Sequence, residues 1–175
     1  MKIERVTIKN YKVFRHVEIH DLSNMSIFLG ANGAGKSTLF DVFGFLSDAL
    51  KTNVRTALGM RGGFKEVISR GVQNEPIHIS ITFRNDEIVG EGKIASPPIH
   101  YELSIGLDDR GLPVVERELL KYRRGNSGSP WKFLDFSRGT GEAITNEEEY
   151  GQGAEAKRDT QTLDSPDILA INQWC

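Results

Sequence analysis

Hydrophobic residues along this chain recur with two different periods, and the change of period divides it into parts. Between residues 36 and 50, Leu39, Val42, Phe43, Leu46 and Leu50 fall at helical spacing while Asp41 and Asp48 take the opposite face, which predicts an amphipathic helix. Just before it lies Met25-Ser26-Ile27-Phe28-Leu29, an apolar run of the length of a buried strand. Nearer the start, Val6 to Lys9 is rich in β-formers, and Val13, Arg15, Val17 and Ile19 alternate with Phe14, His16, Glu18 and His20, so two more strands are expected. From residue 75 the period falls to two. Ile77, Ile79, Ile81 and Phe83 alternate with His78, Ser80, Thr82 and Arg84, and Ile99, Tyr101, Leu103, Ile105 and Leu107 repeat the pattern, as half-buried antiparallel strands do. His78 and His100 thereby fall on polar faces. Val114 to Tyr122 and Trp131 to Phe136 read as further strands, with Trp131 and Phe133 as core or edge aromatics.

Breakers and polar stretches supply the punctuation. Asp108-Asp109-Arg110-Gly111 and Gly125-Asn126-Ser127-Gly128-Ser129-Pro130 carry turn chemistry. Asn146 to Gln161 is polar and glycine-spotted, and a mobile loop is expected there. Ser165-Pro166-Asp167 reads as a helix start, with Ser at the N-cap and Pro at the first helical position. Gly44 interrupts the long helix at a cost of about 1 kcal/mol relative to Ala, and close packing of the helix on the sheet is the expected reason. Arg61-Gly62-Gly63-Phe64 through Ser69-Arg70-Gly71 forms a basic loop, either a solvent-exposed connector or a contact to phosphate, a partner subunit or DNA. The organisation read from these signals is an α/β part over 1–74, an antiparallel β part over 75–146, and a mobile loop with the start of a helix over 147–175. No internal repeat is visible.

Composition narrows the setting. With 175 residues and 38% hydrophobic content the chain has material for one domain with a real core. A net charge of −2 gives no strong overall attraction to nucleic acid or anionic membrane, though a local basic patch stays open. The charged start Met1-Lys2-Ile3-Glu4-Arg5 is unlike a signal peptide, and no apolar run approaches spanning length, so no membrane partner and a cytoplasmic location are expected. The one cysteine, Cys175, leaves no internal disulfide and makes a reducing compartment the default.

The candidate chemistry lies between the predicted strand at 25–29 and the helix. Gly30-Ala31-Asn32-Gly33-Ala34-Gly35-Lys36-Ser37-Thr38 matches the Walker A pattern GxxxxGK[ST], and strand, glycine loop and helix in that order are the context the pattern requires. Glycines at 30, 33 and 35 permit dihedrals that let successive N–H groups converge on phosphate oxygens, and the helix start adds its positive dipole end. Lys36 has the reach to bridge β- and γ-phosphates, Ser37 is placed to ligate the accompanying Mg²⁺, and Thr38 can approach the α-phosphate. ATP and Mg²⁺ are the expected ligands; a glycine-rich turn with a solvated lysine is the other reading. His16, Glu18 and His20 would share a strand face as a conceivable metal cluster, but a solvated polar face explains them more cheaply. ATP hydrolysis also needs a strand ending in an acidic residue. Lys132-Phe133-Leu134-Asp135 and Val114-Val115-Glu116 come nearest, both in the antiparallel part, and the chain reads as the first half of a catalytic domain.

Ile8-Lys9-Asn10-Tyr11-Lys12-Val13-Phe14-Arg15, followed by Phe28-Leu29-Gly30-Ala31-Asn32-Gly33-Ala34-Gly35-Lys36-Ser37-Thr38-Leu39-Phe40-Asp41, resembles the opening of the SMC, RecF and OLD-like ATPases, which have ABC-type heads. Asn32-Gly33 before the GKS is the discriminating detail. The segments 61–71, 101–103 and 164–170 resemble a bacterial subgroup of AAA-type ATPases related to RecF and OLD. The resemblance implies a P-loop NTPase lobe with an attached antiparallel β-subdomain, incomplete at its C-terminus, whose second lobe supplies the signature motif, Walker B and a switch histidine. It implies that two heads close on two ATP molecules, and that Gly30, Asn32, Gly33, Ala34, Gly35, Lys36, Ser37 and Thr38 bind nucleotide with Lys36 catalytic. By position, Lys12 and Arg15 match basic residues near the nucleotide, and Gln173 is the one late candidate for a Q-loop glutamine. Three readings follow: the first lobe of an ATPase in DNA repair or phage defence, with DNA or a nuclease as partners; a nucleotide-binding regulatory module that does not hydrolyse; and a β-rich interaction domain with a vestigial loop.

Overall fold

The structure is a computed structural model, and it describes residues 1–23, 25–72, 75–85, 87–89, 92–94, 96–123, 130–145 and 157–173. The predicted alternation resolves into β1 (Lys2–Tyr11), β2 (Phe14–His20), β3 (Ile77–Arg84), a small hairpin of β4 (Glu87–Val89) and β5 (Gly92–Ile94), β6 (Ile99–Leu107), β7 (Pro113–Tyr122), β8 (Trp131–Ser137), β9 (Thr140–Ile144) and β10 (Arg158–Thr162). Eight of these make one antiparallel sheet in the order β10-β9-β8-β7-β6-β3-β1-β2. The sheet runs straight through residue 75, because β1 pairs with β2 on one side and with β3 on the other.

One face of the sheet carries the core. Val6 and Ile8, Ile77 and Ile79, Leu103 and Ile105 point to it, and helix α1 (Lys36–Lys51) lies across them with α2 (Val54–Gly59) and α3 (Phe64–Val67) beside it. The α1 stripe that is buried runs through Leu39, Val42, Phe45, Leu46 and Ala49, while Leu50, expected in the core, is exposed. Among the described residues no helix covers the opposite face. All four histidines sit there, because the register sets His16, Lys9 and His78 in one row and His20, Arg5, Thr82 and His100 in another. His16 and His20 both contact the Glu18 carboxylate, at 3.0 and 3.2 Å, so the polar-face reading describes them. Burial lowers the pKa of His78, whose Nδ1 lies 3.0 Å from Ser104 Oγ.

Several expectations give way. Met25 to Leu29 is not a strand: Ile27 is 72% and Leu29 90% exposed, and only Phe28 turns inward, edge to face with Phe40. A strand needs a hydrogen-bonded neighbour, and among the described residues no strand pairs with this run. Residues 158–161 of the expected loop belong to edge strand β10 on β9, while 146–156 of that loop lie outside the described residues, as do 125–129 of the second expected turn. Ser165-Pro166-Asp167 makes a turn, and helix begins only as a 3-10 helix at Ala170–Gln173. That short helix is tied to the sheet by Glu118, fully buried on β7, which accepts from the amides of Ala170 and Ile171 and from the Tyr101 hydroxyl. Burial raises the Glu118 pKa, against these donors.

Gly44 has a different cause from the one expected. A methyl group there would meet not the sheet but Arg61 Nη2, at 3.2 Å. Arg61 is pinned: it donates to Asp41 (2.9 Å), Asp48 (2.8 Å) and the Ala57 carbonyl (2.9 Å), and its guanidinium stands 5.6 Å from the Phe45 ring centre. Gly44→Ala is therefore expected to lower the melting temperature in the native background. In an Arg61→Ala background the same change is expected to raise it by roughly 2–4 °C, the value of about 1 kcal/mol of helix propensity. Thermal unfolding of the four proteins checks the reversal of sign.

Candidate functional site

The loop Gly30 to Thr38 reaches α1 through two left-handed glycines, Gly33 (φ 83°) and Gly35 (φ 94°), and Gly35 is the helix N-cap. No side chain caps that end, so the first-turn N–H groups face the loop without a protein side-chain acceptor. The first intrahelical bond, Leu39 N–H to Gly35 O, is 2.9 Å. Lys36 folds back over the loop and donates from Nζ to the carbonyls of Gly30 (2.6 Å) and Ala31 (2.8 Å). Ser37 is exposed one residue on, and Thr38 is buried. Gly30, Asn32, Gly33 and Ala34 are all exposed along the loop.

What holds this loop is the turn between β1 and β2. Lys12 and Val13 form a two-residue turn closed by the Tyr11–Phe14 pair, with Lys12 at φ 50°, an unusual value for a side-chain-bearing residue. The turn is seated on Gly35: a methyl group there would clash with Phe14 Cε1 and lie 2.7 Å from its Cζ and 3.2 Å from Val13 Cγ2. The basic segment after α2 is not a solvent-exposed connector. It forms α3 and then clamps the turn, with Lys12 N–H donating to Val67 O (2.6 Å), Ser69 N–H to Asn10 O (3.2 Å) and Ser69 Oγ to Phe14 O (3.0 Å).

Asp41 completes the arrangement from α1. Its Oδ2 accepts from Tyr11 OH (2.8 Å) and Lys12 Nζ (2.6 Å), and its Oδ1 from Arg61 Nε (2.9 Å). Burial works to raise the Asp41 pKa, but the hydrogen bonds from Lys12 and Tyr11 outweigh it and hold the carboxyl below its ordinary range. Burial, then Asp41, pushes the Tyr11 phenol up, so it stays a donor. Asp41 was legible only as a polar-face residue; its sequence signal was an acid one helical turn beyond Ser37, within reach of the basic turn.

The structure does not bring every expected residue to the loop. Lys12 is engaged by Asp41, and Arg15 donates from Nη2 to the Arg70 carbonyl at 3.0 Å, on the wall of a 570 Å³ groove shared with Lys65, Glu66 and Arg70. Gln173 follows Asn172, whose side chain bonds Leu50 O at the far end of α1, about 22 Å of helix from Lys36. Asp135 is paired with Arg117 and Lys132, and Glu116 with Arg138, on strands three and more removed from β1. Among the described residues no group of three or more His, Cys, Asp or Glu is arranged to hold a metal, and no helix is long and apolar enough to cross a membrane.

The site is thus a glycine loop that opens a helix laid on an antiparallel sheet. Residues 1–168 match the AAA ATPase domain family, and the chain belongs to it. A relative, the DNA double-strand break repair Rad50 ATPase of Saccharolobus solfataricus, is 26% identical over 88 residues, covering 50% of this chain and 9% of the relative's length. A solved structure described as "Structural biochemistry of ATP-driven dimerization and DNA stimulated activation of SMC ATPases" is 23% identical, covers 72% of this chain and 73% of its own, and superposes with a TM-score of 0.43.

Gly35→Ala should be costly on two counts: a left-handed dihedral worth about 1–2 kcal/mol and a clash with Phe14 worth about 1–3 kcal/mol. The expected fall in melting temperature is at least roughly 4–8 °C. Gly33→Ala shares the dihedral (φ 83°) but meets no atom within 4 Å, so it should cost less; thermal unfolding of both variants compares the two.

Proposed function

We propose that this chain is the ATP-binding lobe of an ABC-type ATPase of the SMC/RecF/OLD-like kind, with Gly30 to Thr38 as its phosphate loop. The observation that carries the reading is the uncapped start of α1 with Lys36 folded across it. Those N–H groups and the helix dipole suit an anion, and a phosphate outcompetes two neutral carbonyls for the Lys36 ammonium. Asn32, Gly33, Ala34 and Gly35 supply backbone around the phosphates, Ser37 the hydroxyl for Mg²⁺, and Thr38 the neighbouring contact. Mg²⁺ screens the phosphate charge when bound. Lys36 binds the terminal phosphates and, in a completed head, stabilises the charge that develops on them.

Completion by a second lobe is supported by the apolar segment before the loop. Ile27 and Leu29 face solvent, and beneath the segment a 390 Å³ groove is lined by Ile3, Leu22, Phe28, Leu39 and Phe43. A second lobe that adds strands beside 25–29 covers this surface and supplies the acid that activates water. Two completed heads then pair on nucleotide. DNA repair follows from the Rad50 relative; phage defence, an appended nuclease and a cytoplasmic setting rest on the SMC/RecF/OLD-like resemblance alone. Binding without hydrolysis is favoured for residues 1–175 themselves, because Asp135 and Glu116 are remote and ion-paired.

Lys36→Ala should weaken Mg-ATP binding by about 1.5–3 kcal/mol, the worth of charge-assisted contacts to phosphate. Calorimetric titration measures it, and equal affinity in both proteins rejects the phosphate-loop reading. Purified 1–175 is also expected to release almost no phosphate at steady state, with turnover appearing once the second lobe is added as full-length protein or co-expressed fragment. Turnover by 1–175 alone that disappears in Lys36→Ala contradicts this, and Asp135 and Glu116 are then the acids to replace.

A further inference from the structure

Three separate parts of the chain meet at one carboxylate. Tyr11 comes from the end of β1, Lys12 from the β1–β2 turn and Arg61 from the segment after α2, and all three donate to Asp41 on α1. Tyr11 is fully buried, and Arg61 keeps only 11% of its side-chain surface. Asp41 stands four residues beyond Ser37, on the same side of α1, so whatever fixes Asp41 against the turn also fixes the turn against the helix start. The Lys12 dihedral of 50° and the packing of Phe14 and Val13 on Gly35 show how little freedom the turn has. Lys12 is the member whose ammonium reaches from the turn to the helix directly.

We propose that Asp41 is a positioning residue for the phosphate loop: through Lys12 and Tyr11 it seats the β1–β2 turn on Gly35 and so sets the shape in which the loop receives phosphate. The proposal rests on the reading of Gly30 to Thr38 as a nucleotide loop. The side-chain hydrogen bonds of Asp41 go to Tyr11, Lys12 and Arg61 rather than to the glycines of the loop; its effect passes through Lys12, Phe14 and Gly35. An ionised Asp41 is required, because a neutral group cannot hold an ammonium and two further donors at these lengths.

Mg-ATP affinity of the whole chain by calorimetry tests this in native protein, Asp41→Asn, Asp41→Glu, Lys12→Met and the Asp41→Asn/Lys12→Met pair, each held well below its melting temperature. Asp41→Asn is expected to weaken binding by about tenfold, Lys12→Met similarly, and the pair no more than either alone, since both remove one linkage. Asp41→Glu, which keeps the charge, is expected to recover most of the loss; a generally loosened fold gives no reason for that recovery. Native binding with unchanged affinity in Asp41→Asn overturns the role of Asp41, and so do losses that multiply in the pair. If Asp41→Asn does not fold, Lys12→Met carries the test: unchanged affinity there overturns the proposal, and a tenfold loss supports it. Absence of ATP binding by the native chain instead overturns the nucleotide reading and takes this proposal with it.

Discussion

The seating of the β1–β2 turn on Gly35 is the contact on which the rest of the site depends. The Phe14 ring edge lies within 2.7 Å of where a Cβ would be, so glycine is favoured there for space as well as for its dihedral. Because the turn is closed by only two residues, it has no slack with which to adapt to a moved helix. The segment 67–69 therefore grips it from outside through three hydrogen bonds, and Asp41 grips it from the helix side. The loop at 30–38 inherits its shape from these grips, since its own internal bonds among the described residues are few: Ala34 N–H to Ala31 O and the two Lys36 contacts.

Two carboxylates hold α1 in place, and they work by opposite means. Asp41, near the start, is partly exposed and accepts from Lys12, Tyr11 and Arg61, so it remains ionised and two of its hydrogen bonds are reinforced by charge. Glu118, which acts on the far end through the 3-10 helix and Asn172, has no cation beside it, and burial raises its pKa. It is held instead by one hydroxyl and two backbone amides, which is how a buried carboxylate avoids being orphaned. The end of α1 nearest the loop is thus fixed by charge and the distant end by directional hydrogen bonds. Only the first kind is screened by salt.

How much of this was legible in the sequence depended on whether a residue's partner was local. Alternation over Ile77 to Arg84 and Ile99 to Leu107 gave strands whose faces the register then reproduces, because a half-buried strand writes its own period. The glycine loop and α1 were equally local. Phe14, placed in a strand alternation, owes its importance to Gly35, twenty-one residues on. Gly44 was traced to the sheet although the obstacle is Arg61, and Asp48 was read as a polar-face residue although it pairs with that same arginine. Arg158 to Thr162 carries no apolar residue at all; it is a strand because β9 offers an open edge, and composition alone cannot report an edge.

The run 25–29 shows the same dependence from the other side. Its residues favour a strand as much as those of β3 do, yet a strand forms only where a neighbour takes up its backbone hydrogen bonds, and among the described residues no strand pairs with this run. The phosphate loop therefore leaves from an unpaired segment and arrives at a firmly held helix. On the helix side Asp41, Phe14 and Val67 fix its position; on the other, Phe28 against Phe40 is the inward contact of the run. In the proposed nucleotide role, the N–H groups and Lys36 that would meet phosphate belong to the fixed side. Water attack on a γ-phosphate would make a harder demand, because it also needs an acid that orients the water in precise register with the phosphate. The proposed binding role therefore draws on the half of the loop that the fold secures, and hydrolysis would need a further group beyond it.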